Sequence, residues 1–280
     1  WSSADEGGEV HFTAPDRIAV DVADLGGLSD EITIECWVFG DPESQPQNGT
    51  LFEGLNANNQ RVVNVHLPWG NGRVYWDCGW DGGYDRIDAQ AETGDYEGQW
   101  NHWAFVKNAT TGVMEMYLNG VLFHSGTNKD NPIEGIVRMN LGCSGIGTNH
   151  YNGRVDDFRV WGKALDGATI AEWMNHQPTA FHPDWDDLLV DYHFDGANGT
   201  EEVNHKPGGS PGLHHGTTLR RTTPGRERFK GSETPFRPHV GFGRGDYLEA
   251  VADGSILDLR PVAPMSCLLY TSDAADEHTG

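Results

Sequence analysis

Residues 98–125, GQWNHWAFVKNATTGVMEMYLNGVLFHS, leave little choice of fold. Apolar residues recur at every second position in runs broken by tight turns, and a period of two belongs to strands. Trp100, His102, Ala104 and Val106 alternate along the first run, which predicts one face. A turn at 108–112 follows. Met114, Met116 and Leu118 then alternate, with Glu115 and Tyr117 on the other side. Asn119-Gly120 is a two-residue hairpin signal, because both positions of such a turn need positive φ. Residues 121–124 return. A three-stranded meander with one apolar face needs further strands to cover it.

The rest of the chain supplies them. Residues 32–38, ITIECWV, alternate: Ile32, Ile34, Cys36 and Val38 toward the core, Thr33, Glu35 and Trp37 away from it. Short strand patterns recur at 8–22, 50–53, 62–67, 74–78, 136–142 and 151–161, separated by glycine-rich turns. The chain has 280 residues, 37 of them glycine, with 37% hydrophobic and 10% aromatic content, enough for a core. One segment reads as a helix. Asp166 is placed to cap it, and Leu165 and Ile170 occupy the two positions of a hydrophobic staple. The expected fold is all-β, an antiparallel sandwich with one short helix after its closing strand.

The net charge of −23 argues against nucleic acid or an anionic membrane surface as partner, since both call for a basic patch. No apolar run approaches the ~18 residues of a membrane helix. Cys36, Cys78, Cys143 and Cys267 match no zinc spacing. Cys36 and Cys78 lie in strand-like stretches and read either as a pair across the sandwich or as small buried thiols.

The pattern W-x-H-x-A-x-V-K at 100–107, a turn, then Y-x-N-G-x-L at 117–122 resembles the centre of LamG-like jelly-roll domains, relatives of laminin G, pentraxins and the concanavalin A-like lectins and glucanases. ITIECWV resembles an early strand of that family, YNGRVDDFRVW its closing strand, and KALDGATIAEWM its helical tail. LLVDYHFDGANG at 188–199 resembles the strand that leads into such domains. HVGFGRGDYLEA at 239–250 then echoes EVHFTAPDRIAV at 9–20. The expected organisation is a LamG-like domain at 1–176 without its lead-in strand, a linker at 177–187, and the truncated start of a second copy at 188–265. Residues 266–280 resemble translated sequencing-adapter read-through, so they are expected to be a non-native tail.

Catalytic signals are few. Glucanases of this superfamily carry E-x-D-x-x-E on one strand, where alternation aligns the carboxylates. The chain has no such triplet, no G-x-S-x-G and no H-E-x-x-H. His102, in phase with its strand's apolar residues, reads as a core histidine rather than a general base.

Two readings remain for metal. Asp156, in phase with Phe158 and Val160, is expected to point inward. By resemblance to glucanase relatives it would bind a structural calcium with carbonyls near Gly7 or Gly8; the alternative is a salt bridge to Arg154 or Arg17. Asp77, Asp81, Asp85 and Asp88 form an acidic stretch that reads as a second candidate or as a solvated loop. Around it cluster Trp69, Trp76, Trp80 and Tyr84, with Trp37 a further candidate. Sugar faces stack on aromatic rings, so these five are either a glycan platform or core filling. The resemblance implies a non-catalytic module of a secreted or cell-surface multidomain protein, recognising glycan or glycoprotein. The rivals are an accessory module of a glycoside hydrolase or sulfatase, and an adhesion spacer without a small ligand.

Overall fold

The structure is a computed structural model. It describes residues 8–195 and 199–216, and the backbones of two further strands, Tyr247–Val251 and Asp258–Val262. The chain divides into two compact units, 1–233 and 234–280.

In chain order the first unit contains β1 (Val10–Phe12), β2 (Arg17–Val20), β3 (Glu31–Gly40), β4 (Phe52–Leu55), β5 (Arg61–His66), β6 (Arg73–Trp80) and β7 (Tyr84–Gln90). A short helix α1 (Thr93–Tyr96) leads into the central meander, β8 (Asn101–Asn108), β9 (Val113–Leu118) and β10 (Val121–Gly126). Then come β11 (Arg138–Leu141), β12 (Gly153–Trp161), α2 (Gly167–Trp173), β13 (Leu188–Tyr192), β14 (Glu201–Glu202) and β15 (Gly212–His215). One sheet has seven strands in the order β1-β12-β3-β8-β9-β10, with β13 also on β12. The other has eight, β14-β15-β2-β11-β4-β5-β6-β7. Every pairing between these strands is antiparallel. The expected all-β antiparallel sandwich is therefore what forms. In the second unit, Tyr247–Val251 pairs antiparallel with Asp258–Val262 as β16 and β17.

The core lies between the two sheets. Ile34, Val38, Phe105, Met116 and Phe158 of one meet Phe52, Val63, Val65, Trp76 and Leu141 of the other. Phe52 takes Trp76, Phe105 and Phe158 edge-on, with ring centroids 5.9–6.2 Å apart. The turns form as their residues demand. Asn119 and Gly120 have φ of 51° and 76°, and Asn108 Oδ1 accepts the Thr111 amide at 2.9 Å. Asp166 Oδ1 accepts the Thr169 amide at 2.8 Å and caps α2.

Two expectations change, and one open choice closes. On β8 the face toward the main core carries Trp103 and Phe105, opposite Leu118 and Met116, while Ala104 and Val106 lie beneath α2. The outer face of the seven-stranded sheet is not solvated there, so both faces of β8 are apolar and alternation alone could not choose between them.

The second correction concerns the domain end. The sandwich does not stop near residue 176. β13 pairs along β12, and β15 pairs with β2. Val190, Tyr192 and Phe194 join the main core. Residues 188–216 thus complete this sandwich, because its edges at β12 and β2 offer them unpaired backbone and apolar surface. The linker at 177–187 is docked too: His182 stacks on Trp161 with ring centroids 4.3 Å apart. The remainder of the expected second copy and the 266–280 tail fall outside the described residues, apart from β16 and β17.

Third, Cys36 and Cys78 are both free and buried. Burial pushes both thiols well above the usual range, so they act as small apolar groups.

Candidate functional site

On the outer face of the eight-stranded sheet, register brings polar side chains into one row. Asn140 pairs with Glu53, Glu53 with Asn64, Asn64 with Asp77, and Asp77 with Arg86. Directly paired residues share a face, so the row crosses five strands. It is charge-compensated. Arg61 donates to Glu53 at 2.8 Å and to Asp77 at 2.6 Å. Arg86 donates to Asp77 through both Nε and Nη2, and that bond pushes the Arg86 pKa above its usual value. Asn64 Nδ2 adds a fourth N–H donor to Asp77 at 3.2 Å. Asp77 is fully buried, while the side chains of Arg61 and Arg86 remain 22% and 35% exposed. The carboxylate anchors two guanidinium planes that face solvent.

Aromatic rings flank these planes. Arg86 lies over Tyr75 at 4.8 Å and over Tyr84 at 5.0 Å, and Arg61 over Tyr84 at 5.3 Å. In the next row His66 pairs with Tyr75, and the Trp69 ring sits 4.3 Å from that of His66. Trp69, His66, Tyr75 and Tyr84, joined through Arg86, make a strip of rings on one sheet face.

The expected residues divide accordingly. Trp69 and Tyr84 belong to the strip. Trp80 is half-buried against the main core. Trp76 is fully buried between the sheets, its indole donating to the Val106 carbonyl at 3.0 Å. Trp37 is also fully buried: α2 covers it, and its indole donates to the Met174 carbonyl at 2.7 Å. Neither can stack on a ligand. Sequence reasoning missed His66, Tyr75, Arg61 and Arg86. The signal was present in β6, where Val74, Trp76 and Cys78 alternate inward and so put Tyr75 and Asp77 outward.

Three of the four carboxylates of the acidic stretch pair with bases, and Asp81 is exposed. Besides Asp77, Asp88 pairs with Arg73, and Asp85 meets the fully buried Lys107 at 2.7 Å. Asp156 is also oriented differently from the expectation. Residues 156–159 of β12 contain a β-bulge, with Asp157 at φ 48°. The bulge shifts the phase, so Val155 and Phe158 both face the core and Asp156 stands opposite Trp37 on the outer face. Asp156 Oδ1 accepts the Asp157 amide at 2.7 Å. The base nearby is Arg159, not Arg154, which pairs with Glu9 at 3.1 Å.

Arg159 is itself buried among Glu35, Asp157 and Asp191 at 3.4–3.8 Å. Burial alone would raise the Glu35 carboxyl; its bond to His102 and the charges of His102 and Arg159 outweigh that and hold it below the usual range. Among the described residues no three His, Cys, Asp or Glu side chains converge as metal ligands. A hard cation takes six to eight oxygens. Asp156 has no such cluster of carboxylates converging beside it among the described residues.

Comparison with solved structures matches this architecture. A Bacteroides ovatus protein with a provisional carbohydrate-binding assignment superposes with a TM-score of 0.59 at 17% identity, over 77% of this chain and 60% of that one. The chain therefore spans about 60% of that protein's length. A heptameric SAP-like pentraxin from Limulus polyphemus superposes with a TM-score of 0.45 at 18% identity, over 68% of this chain and 93% of that one. No curated protein matches. Residues 12–171 match the laminin G 3 family model of the concanavalin A-like lectin/glucanase superfamily. That match spans more than half of the sequence, and the chain belongs to this superfamily.

Proposed function

We propose that this chain is a non-catalytic recognition module that binds glycan, free or on a glycoprotein, across the outer face of the eight-stranded sheet. The carrying observation is the strip Trp69, His66, Tyr75 and Tyr84, set beside two guanidinium groups held in place by Asp77. Rings supply flat apolar area for the C–H faces of a sugar. The guanidinium N–H groups donate to its hydroxyl or carboxylate oxygens. Superfamily membership supports the reading, as does the carbohydrate-binding assignment of the Bacteroides ovatus protein.

A hydrolase reading has less support. Glu53 and Asp77 share the face, but Arg61 bonds both, so neither is a free proton donor of the kind glycoside cleavage needs. Residence in a secreted or cell-surface multidomain protein, with other domains of that protein as partners, is part of the proposal.

The test is a glycan-array screen of the full chain, followed by calorimetric titration of the best ligand. Tyr84→Ala and Trp69→Ala should each weaken binding about fivefold, the worth of one ring contact. Leu122→Ala, on exposed β10 of the other sheet, should bind as the parent does. Retention of no glycan, or unchanged affinity in both ring variants, would sink the reading.

A further inference from the structure

The paired charges of the strip are arranged with their acids inside and their bases outside. Glu53 and Asp77 are buried, whereas Arg61 and Arg86 keep part of their side chains in solvent. Arg86 spends Nε and Nη2 on Asp77, and Nη2 also reaches the Tyr84 hydroxyl at 3.3 Å. Arg61 spends Nε on Glu53 and Nη1 on Asp77. Arg86 Nη1 and Arg61 Nη2 donate to no acceptor among the described residues. A guanidinium holds five N–H donors in one rigid plane. An edge turned to a buried carboxylate therefore leaves the remaining nitrogen on the side away from it.

The two groups are neighbours. Arg61 Nη1 and Arg86 Nη2 meet at the same oxygen, Asp77 Oδ2. Both guanidinium carbons lie within 5.3 Å of the centre of the Tyr84 ring, which is exposed. The adjoining row adds no unbalanced charge, because Arg73 matches Asp88 there.

We propose, on the reading of this strip as the glycan site, that the sugar it takes carries a carboxylate. A planar carboxylate fits the in-plane N–H groups of arginine. Placed at the free nitrogens, it lies nearer to the two positive groups than to the buried acids behind them, so attraction outweighs repulsion. Tyr84 beside it offers a ring to the C–H groups of the same sugar. The arrangement also limits the ligand. The chain carries a net charge of −23, and a dense polyanion would be repelled by it. Two guanidinium groups on one carboxylate serve a single negative group. The fitting ligand is a saccharide with isolated uronic or sialic acid residues among neutral sugars.

The test uses the full chain and one glycan array printed twice. The array carries neutral glycans, sulfated glycans, and glycans bearing uronic or sialic acids. On the second print the carboxylates are converted to methylamides, which removes their charge and keeps the sugar rings. Acidic glycans should be the best ligands on the first print. Amidation should weaken them at least about tenfold, the worth of a charge-assisted hydrogen bond. Which acids are retained, uronic or sialic, identifies the source of the carboxylate. In calorimetric titration, affinity for the best ligand should fall between about 50 and about 500 mM NaCl, because salt screens exposed charges. In Arg86→Gln the gap between native and amidated ligand should largely close. That gap is read within one protein, so a general loss of stability does not imitate it. Glycans bound equally on both prints overturn the acidic assignment and leave the recognition module standing. So does a preference for sulfated glycans, or a gap that Arg86→Gln leaves undiminished. A chain that retains nothing on either print overturns both.

Discussion

His66 shows how one side chain couples the site to stability. Its ring is 6% exposed, and its Nδ1–H donates to the Gly49 carbonyl at 2.9 Å. Burial pulls its pKa down to about 4. Above the usual histidine pKa the ring is neutral in both folded and unfolded chain, and its contribution to stability is fully present. As pH falls below ~6.5 the unfolded chain takes the proton first, so stability is lost down to about pH 4. The loss attached to this group is about 2–3 kcal/mol between pH 7 and pH 4.5, counted at about 1.4 kcal/mol per pH unit. His66→Gln, which can still donate to Gly49, should lose that much less over the same interval in urea unfolding. Parallel losses in parent and variant would show that His66 is not the titrating group. At this scale, of the five rings singled out from the sequence, Trp69 and Tyr84 lie on the outer sheet face, Trp69 half-buried and Tyr84 exposed. Sequence reading erred on Trp37, because an outward phase does not reveal a helix lying on the outer face.

Among the elements, the β9–β10 hairpin was legible from Asn119-Gly120 alone, since few other residue pairs tolerate two positive φ angles in succession. What was not legible is that this turn also abuts α2. A Cβ at Gly120 would lie 2.9 Å from the Cα and Cβ of Ala171. Gly82 gives the comparison: its φ is +70°, close to the +76° of Gly120, but an added Cβ there meets nothing within 4 Å. Gly82→Ala should therefore cost only the conformational strain, about 1 kcal/mol. Gly120→Ala should cost at least about 1 kcal/mol more, because the helix must shift. Equal costs in chemical denaturation would mean that the turn and helix are not in contact. β12 makes the same point about limits. A strand pattern assumes an unbroken period of two, and one bulge between 156 and 159 reverses the expected orientation of Asp156.

For the whole molecule, residues 188–216 decide where the fold ends. Val190, Tyr192 and Phe194 are buried to 0% exposure, and burying each such side chain is worth about 1.5–3 kcal/mol. A chain ending at residue 216 should keep its cooperative thermal transition. One ending at residue 187 should lose about 5 kcal/mol or more, enough to broaden or abolish that transition in circular dichroism. Matching melting curves for the two truncations would show that this segment does not belong to the sandwich. The pattern LLVDYHF announced a strand, but a strand's partner is set by which sheet edges stand open nearby, and that is not written in its own residues.

The sequence by itself determined the β class, the meander and its turns, the inward face of β3, the capped helix α2 and the superfamily. The superfamily rests on resemblance, and the others on local rules: alternation, positive-φ tolerance, capping. Tertiary structure alone decided the rest. It set which face of β8 meets the main core, which aromatic rings reach solvent, and that Asp77 and Asp85 serve Arg61, Arg86 and Lys107. It also decided that residues 188–216 close the sandwich. Those outcomes depend on pairings between residues far apart in the chain, where burial and charge compensation are settled by neighbours that no local period specifies.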